Sequence, residues 1–241
     1  KIKRRVGNSL DLFKCLWLKY LSLFFCMNNL PNQFFYSKKE DRLNVLSHGI
    51  GFILSIIGLI FLINKGLDNF SLTYFTSLLI YGLSLSIMYI ASTLYHHSKT
   101  AINRYRLRMF DMVSIYILIA GSYTPFTLIV LKDDGGWILF SLIWFLALVG
   151  VIWKVFTVGK YNLASTSLYI FMGGLWLFFL DSFMSQIPPN ALWWITAGCL
   201  IYLVGVIFYL SDKKIKYNHF IWHLFVLIAS VCHYISIYFY I

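Results

Sequence analysis

Seven apolar segments, each long enough to cross a lipid bilayer, occupy most of the chain after residue 44. A helix needs about 20 apolar residues to span the hydrocarbon core, and only helices and closed barrels pair all their backbone polar groups within lipid. The segments cover residues 45–64, 72–96, 110–131, 137–156, 164–180, 191–210 and 220–241. The sequence therefore predicts an all-α membrane protein, a bundle of seven transmembrane helices in the cell membrane.

Basic residues are distributed unevenly between the two sides of this predicted bundle. Charged residues are only 12% of the chain, yet the formal net charge is +11, which in a soluble protein would suggest nucleic acid as a partner. Eighteen of the 20 Lys and Arg residues fall in the N-terminal segment and the connections on its side, whereas Lys65 and Lys132 fall on the other side. Since basic connections remain in the cytoplasm, the N-terminus is predicted to be cytoplasmic and the C-terminus outside. The charge then needs no nucleic-acid partner.

Residues 1–42 form a mixed, basic segment ahead of the seven-helix domain of residues 43–241. Its apolar run is broken by Lys14 and Lys19, which argues against a signal peptide. Two interpretations remain open. The segment is an interfacial amphipathic helix, or the gene start has been set too early, because the first methionine is Met27.

His219 and His223 stand four residues apart where the last apolar segment begins. On a helix this spacing places both imidazoles on one face, about 6 Å apart along the axis, as two ligands of one metal ion require. With seven helices and a cytoplasmic N-terminus, His96 and Asp111 also fall at the cytoplasmic ends of their helices. The orientation was deduced from Lys and Arg alone, so this clustering is independent support for a shared site.

The clustered residues have the composition of a catalytic zinc site. Three imidazoles, from His96, His219 and His223, with a fourth position open to water, are a typical ligand set. Asp111 can hydrogen-bond or deprotonate that water. Ser92, one turn before His96 on the same helix face, can orient the water or donate to a developing oxyanion. The four cysteines form no CxxC pair and suggest no thiolate site.

Each of these residues also has a purely structural explanation. The histidine pair alone could be interfacial, and Asp111 is as well explained by an ion pair with an arginine of residues 97–109. The Ser92 hydroxyl commonly bonds its own helix backbone. His48 and Asn44, at the start of the first helix, either support the ligands or serve packing. The presence of all these groups on one face of the membrane favours the metal.

Four ordered motifs at the ends of the predicted helices carry a resemblance. They are Glu40-x-x-x-Asn44-x-x-Ser47-His48-Gly49, then Ser92-Thr93-Leu94-Tyr95-His96, then Asp111 followed by Gly121-Ser122-Tyr123-Thr124-Pro125-Phe126, and finally His219-x-x-x-His223. Together they resemble the haemolysin III family, which belongs with the progestin and adipoQ receptors and, more distantly, the alkaline ceramidases. The resemblance runs from about residue 40 to the C-terminus and covers all seven segments.

The resemblance implies a seven-helix bundle with a Zn²⁺ ion near its cytoplasmic face. His96, His219 and His223 match the zinc ligands of the family, and Asp111 and Ser92 match the residues beside the zinc-bound water. In eukaryotic relatives the site is associated with hydrolysis of lipid amides such as ceramide. The family name comes from a lytic phenotype, and bacterial relatives have been linked to membrane fluidity.

Three functions are compatible with the sequence. The first is a zinc-dependent hydrolase acting on a lipid amide or ester, with membrane lipids as partners and an influence on membrane lipid homeostasis. The second is a non-enzymatic membrane sensor or regulator in which zinc only clamps the helices. The third is a lytic protein, although away from the interfaces the segments contain no stripe of charged or amide side chains to line a channel. The sequence does not determine the oligomeric state.

Overall fold

The structure, a computed structural model, describes residues 36–212 and 214–241. The two interpretations of the segment of residues 1–42, an interfacial helix or a gene start set before Met27, concern residues that lie outside the described ones. The described helices are α1 (Lys38–Leu67), α2 (Leu72–His97), α3 (Ala101–Pro125), α4 (Gly136–Phe156), α5 (Asn162–Gly173), α6 (Leu180–Gln186), α7 (Pro189–Leu210) and α8 (Asn218–Tyr240). They make seven apolar spans, which confirms the predicted seven-helix membrane architecture.

Several helices extend beyond the apolar segments from which they were predicted. Helix α1 begins at Lys38 rather than residue 45, and α3 begins at Ala101 rather than residue 110. Hydropathy marks only the part of a helix that lies in hydrocarbon, whereas side-chain caps set where the helix starts. The side chains of Ser37, Ser71 and Thr100 cap α1, α2 and α3 by accepting from the backbone N–H three residues later. The extra turns carry polar residues that build the site.

The third and fifth spans are irregular. Helix α3 continues after Pro125 as one π-helical turn, Phe126–Val130. In the fifth span a 3₁₀ segment, Leu175–Phe179, separates α5 from α6. The Tyr123 hydroxyl donates to the carbonyls of Met172 and Gly173, at 3.0 and 2.9 Å. These bonds satisfy backbone groups that the break in the helix releases, as burial among apolar helices requires.

Sequential helices pack as neighbours, and α1 also contacts α8, so the first and last helices are adjacent. This closure brings the starts of α1, α3 and α8 to the same end of the bundle as the end of α2. We call it the histidine end, after His96, His219 and His223. Large apolar side chains such as Ile53, Phe145 and Ile207 are exposed on the outer surface, as a lipid-facing surface requires.

Candidate metal centre

Three buried histidines converge at the histidine end. His96 lies in the last turn of α2, and His219 and His223 lie in the first turns of α8. One ring nitrogen from each falls within 4.8 Å of the others. The Nε2 atoms of His96 and His219 are 3.2 Å apart, close to the roughly 3.3 Å that separates two nitrogens bound tetrahedrally to zinc at about 2.05 Å.

The outer ring nitrogens of these histidines decide whether the cluster suits a cation. The Nδ1 atom of His96 contacts a carboxylate oxygen of Asp41 at 3.1 Å. A carboxylate only accepts, so this contact places a proton on Nδ1 and leaves the Nε2 of a neutral ring bare. The Nδ1 of His219 likewise faces a carboxylate oxygen, that of Asp212, at 3.5 Å. This distance is too long for a well-formed hydrogen bond. When the His219 ring is neutral and carries its proton on Nδ1 as well, two bare nitrogens face each other and a metal ion satisfies both, so the residues fit zinc.

Asp41 is itself held by a buried arginine. The Arg104 guanidinium donates to the same Asp41 oxygen at 2.6 Å and to the carbonyls of His96 and Ser98 at 3.1 and 3.2 Å. It also lies over the Tyr95 ring, 4.7 Å from the centroid. Arg104 therefore fixes both the end of α2 and the carboxylate that orients His96, the arrangement by which proteins hold metal-binding histidines.

His219 is covered from outside the bundle by Tyr36. The Tyr36 ring stacks on His219 with centroids 4.7 Å apart, and its hydroxyl donates to Asp212 at 2.6 Å. Burial is the main cause that raises the pKa of the Tyr36 hydroxyl well above its ordinary value, and electrostatic repulsion from Tyr95 and Asp212 adds to it. The hydroxyl therefore stays a donor through neutral pH, and the Tyr36–Asp212 pair closes this side of the cluster.

Residues of α1 predicted to be near the ligands lie against them. His48 stacks on His223 with ring centroids 3.6 Å apart, and neither of its ring nitrogens has a hydrogen-bond partner among the described residues. The Asn44 amide nitrogen is 3.3 Å from Nδ1 of His96. The Ser47 hydroxyl is 3.2 Å from Nδ1 of His223. Helix α1 therefore forms one wall of the cluster, although it supplies none of the three converging nitrogens.

Asp111 and Ser92, the predicted proton acceptor and its companion, lie together beside the histidines. Both side chains line the apolar cavity together with His219 and His223. Asp111 is not one of the three converging ligands, and it lines both cavities of this region together with His219. Of the three arginines that the sequence suggested as partners of Asp111, Arg104 forms an ion pair with Asp41, whereas Arg108 lines the polar cavity together with Asp111.

Comparison with known proteins identifies the family. The profile of the Haemolysin-III-related family matches residues 36–234. The chain belongs to this family. It is 38% identical over 203 residues to Hemolysin-3 of Bacillus cereus, covering 84% of this chain and 92% of that protein. It is 38% identical over 208 residues to the Hemolysin-3 homolog of Bacillus subtilis, covering 85% and 96%.

The similarity extends to eukaryotes. This haemolysin-III-related chain is 32% identical over 173 residues to the human Monocyte to macrophage differentiation factor, covering 67% of the chain and 69% of the human protein. The predicted relationship to a wider superfamily is thereby confirmed. Family membership and the seven apolar helices together make this a multi-pass membrane protein.

Two cavities meet at the metal centre of this haemolysin-III-related protein. One, of about 540 Å³, runs through the bundle between mostly apolar side chains. The other, of about 510 Å³, opens at the histidine end and is lined by polar groups that include Arg108, Asn162 and Asp212. Four residues line both cavities, namely Asp111, Met112, Tyr209 and His219. The three-histidine cluster therefore meets the junction of an apolar and a polar space through His219, which lines both.

Sequence reasoning missed three residues of this site, namely Asp41, Asp212 and Tyr36. A signal for Asp41 was present, because Asp41, Asn44 and His48 recur at the three- and four-residue spacing of one helix face. Extending α1 by one turn would have included it. Asp212 and Tyr36 lie outside the helices, where no periodicity reports which way a side chain points.

Proposed function

We propose that the protein is a zinc-dependent hydrolase of a lipid amide or ester, and that it influences membrane lipid composition. The observation that carries this proposal is the position of the three-histidine cluster at the junction of the two cavities. Volumes of about 500 Å³ lie within the range of small-molecule sites. An amphiphile placed across this junction has its chain in the apolar cavity, its headgroup in the polar cavity, and its carbonyl beside the histidines.

The residues around the junction supply the remaining chemistry. Zinc held by His96, His219 and His223 would supply Lewis acidity toward a carbonyl oxygen and would acidify water. Asp111 accepts the proton of the attacking water on a carboxylate oxygen and returns it to the leaving nitrogen or oxygen. The Ser92 hydroxyl donates to Asp111 and holds its orientation. Apolar walls exclude bulk water from the reacting carbonyl.

The polar cavity defines what the headgroup must contact. Arg108 offers a positive charge, Asp212 a negative one, and the amide oxygen of Asn162 is buried without a hydrogen-bond partner among the described residues. This lining suits a headgroup that carries hydroxyl or amine donors. With the N-terminus in the cytoplasm, such a headgroup belongs to a lipid of the cytoplasmic leaflet.

Metal analysis combined with lipid-substrate profiling tests the proposal. Purified wild-type protein should contain about one zinc ion per chain and release fatty acid from an acyl amide or ester. His219→Ala should lose both, whereas Asp111→Asn should keep the zinc and lose the activity. His97→Ala is the matched control, because His97 is exposed at the same helix end and lies outside the cluster. Unchanged zinc content after replacing both His219 and His223 would refute the proposal.

A regulator with structural zinc is the second candidate. It is favoured by the fact that the ligands come from α2 and α8, so the ion would join two helices far apart in sequence. It predicts that Asp111→Asn keeps the zinc and the cellular phenotype. The name of the Bacillus cereus relative suggests lysis as a third, and release of dye from liposomes by purified protein without zinc would support that function.

A further inference from the structure

The apolar cavity contains one polar region far from the metal centre. We call it the inner polar patch, and it comprises Ser122, Cys199, Tyr202, Ser230 and His233, all of which line the cavity. Ser230 and His233 lie seven and ten residues beyond His223 on α8. At 1.5 Å per residue, these positions are about 10 and 15 Å deeper in the bundle. The patch is therefore separated from the metal centre by a stretch of apolar wall.

The contacts within the patch leave hydrogen-bonding capacity unused. The hydroxyls of Tyr202 and Ser230 are 3.0 Å apart. Only one of the two can donate to the other, so the pair retains one donor hydrogen and further acceptor positions. The Nε2 atom of His233 contacts the Cys199 sulfur at 3.8 Å, a weak contact that a stronger donor or acceptor on a ligand can replace.

The local packing makes room for the imidazole of His233. Gly198 on α7 lies against the His233 ring, and a Cβ at residue 198 would overlap it. The Tyr202 ring meets the same imidazole edge-on, with centroids 5.6 Å apart. The hydroxyl of Tyr81, which also lines the cavity, is buried with no hydrogen-bond partner among the described residues.

From this arrangement we propose that the inner polar patch binds a hydroxyl group carried on the hydrocarbon chain of the ligand. The inference rests on the proposed function, which places the ligand's carbonyl at the metal centre. An extended chain advances about 1.25 Å per carbon, given a C–C bond of about 1.5 Å. The patch lies about 10 to 15 Å deeper than His223, so the hydroxyl would be roughly 8 to 12 carbons from the carbonyl. The substrate class is a lipid with a mid-chain hydroxylated acyl group.

An unsubstituted chain would fill the same space less well. Its methylene groups would lie against the Tyr202–Ser230 pair and His233 without satisfying any of them. A hydroxyl can donate to His233 Nε2 and accept from the Tyr202–Ser230 pair at once. A site that hydrogen-bonds a ligand hydroxyl discriminates strongly against a ligand without it, because the buried polar groups of the site are then left unpaired.

Equilibrium binding of free fatty acids tests the patch without requiring hydrolysis. Purified protein in detergent would be titrated with 12-hydroxyoctadecanoic, 3-hydroxyoctadecanoic and octadecanoic acids, by displacement of a fluorescent fatty acid. We expect the 12-hydroxy acid to bind at least tenfold more tightly than the other two. In a Tyr202→Phe, Ser230→Ala double variant, which loses only two hydroxyl oxygens, the affinities should come within about twofold of one another.

The matched control is Ile119→Val, which removes one methyl group from the cavity wall and should weaken all three acids equally. Equal binding of the three acids to the wild type would overturn the proposed role of the inner polar patch. It would not bear on the hydrolase proposal, which the metal and substrate assays test separately. Binding of none of them would overturn both proposals. A preference for the 12-hydroxy acid in a protein that proves unable to hydrolyse lipids would support the patch and reject the hydrolase.

Discussion

Arg104 is the side chain that holds His96, one of the three converging histidines, in position. Its guanidinium is 1% exposed and binds the Asp41 carboxylate, two carbonyls at the end of α2, and the face of Tyr95. A buried charge is tolerated only when it is paired and its donors are satisfied. Arg104 meets this condition with residues of α1 and α2, and so it holds three helices at one point.

Removing the charge of Asp41 should weaken metal binding and should also lower the stability of the fold, because Arg104 is buried at its ion pair with Asp41. In Asp41→Asn the contact to His96 Nδ1 loses its carboxylate, and Arg104 loses its ion pair. Loss of such a supporting carboxylate typically lowers metal affinity by about 10- to 100-fold. Titration of purified protein with a competing zinc chelator measures the change.

The control for that variant is Asp68→Asn, which changes an exposed aspartate at the opposite end of α1. Its zinc affinity should equal that of the wild type. If Asp41→Asn binds zinc as tightly as Asp68→Asn, the assigned role of Asp41 is wrong.

At the level of the helices, the α1–α2 contact holds the residues that wall the site. A Cβ added at Gly51 would lie 2.5 Å from the Tyr89 ring, and Tyr89 in turn packs edge-on against His48 with centroids 5.1 Å apart. Tyr89 is buried, so its ring has little freedom to move away. Close approach through a small residue is the usual way for membrane helices to pack.

Gly51→Ala should therefore destabilise the protein by about 1–3 kcal/mol, the usual cost of overpacking. Gly49→Ala is the matched control, since its new Cβ would meet only Thr93, at 3.9 Å. That variant should be neutral or more stable by about 0.5–1 kcal/mol, because alanine favours a helix over glycine. Unfolding by SDS in mixed micelles measures both, and equal effects of the two substitutions would contradict the close contact.

Helices α2 and α8 should be joined more firmly when zinc is present. A ligand that binds only the folded state stabilises it by about 2.7 kcal/mol at 100 times its Kd. Thermal unfolding of the purified protein should therefore shift upward with zinc and return with a chelator. His223→Ala should abolish the shift, whereas His97→Ala should preserve it. A zinc-independent Tm in the wild type would exclude a metal bridge between these helices.

The helices and the metal ligands were predictable from sequence for different physical reasons. Burial in hydrocarbon demands long apolar runs, so the seven spans could be read directly. The pair His219 and His223 could be recognised from one helical period, and His96 from its place at the same end. The contributions of Asp212 and Tyr36 depend on how the segments before α8 and α1 fold over the cluster. No local sequence pattern predicts how these segments pack.

For the molecule as a whole, orientation in the membrane is a prediction from charge alone. Among the described residues, 11 of the 13 Lys and Arg side chains belong to the histidine end and only Lys65 and Lys132 to the other, which predicts that the histidine end faces the cytoplasm and that Ile241 lies outside. Alkaline phosphatase fused after Ile241 should be active, and a green fluorescent protein fused there should be dark. An inactive phosphatase fusion and a fluorescent green fluorescent protein fusion would show that the bundle has the opposite orientation.

Because every polar group of the metal centre lies at one end of the bundle, the two faces of the membrane are not equivalent to this protein. A lipid whose headgroup lies at the far face cannot present its carbonyl to the histidines, since a headgroup does not enter the hydrocarbon unaided. Under the proposed chemistry, turnover would therefore follow the amount of substrate in one leaflet. A lipid made or delivered on the opposite leaflet would become a substrate only after it had crossed, so the rate of lipid flip-flop would set an upper limit on its breakdown.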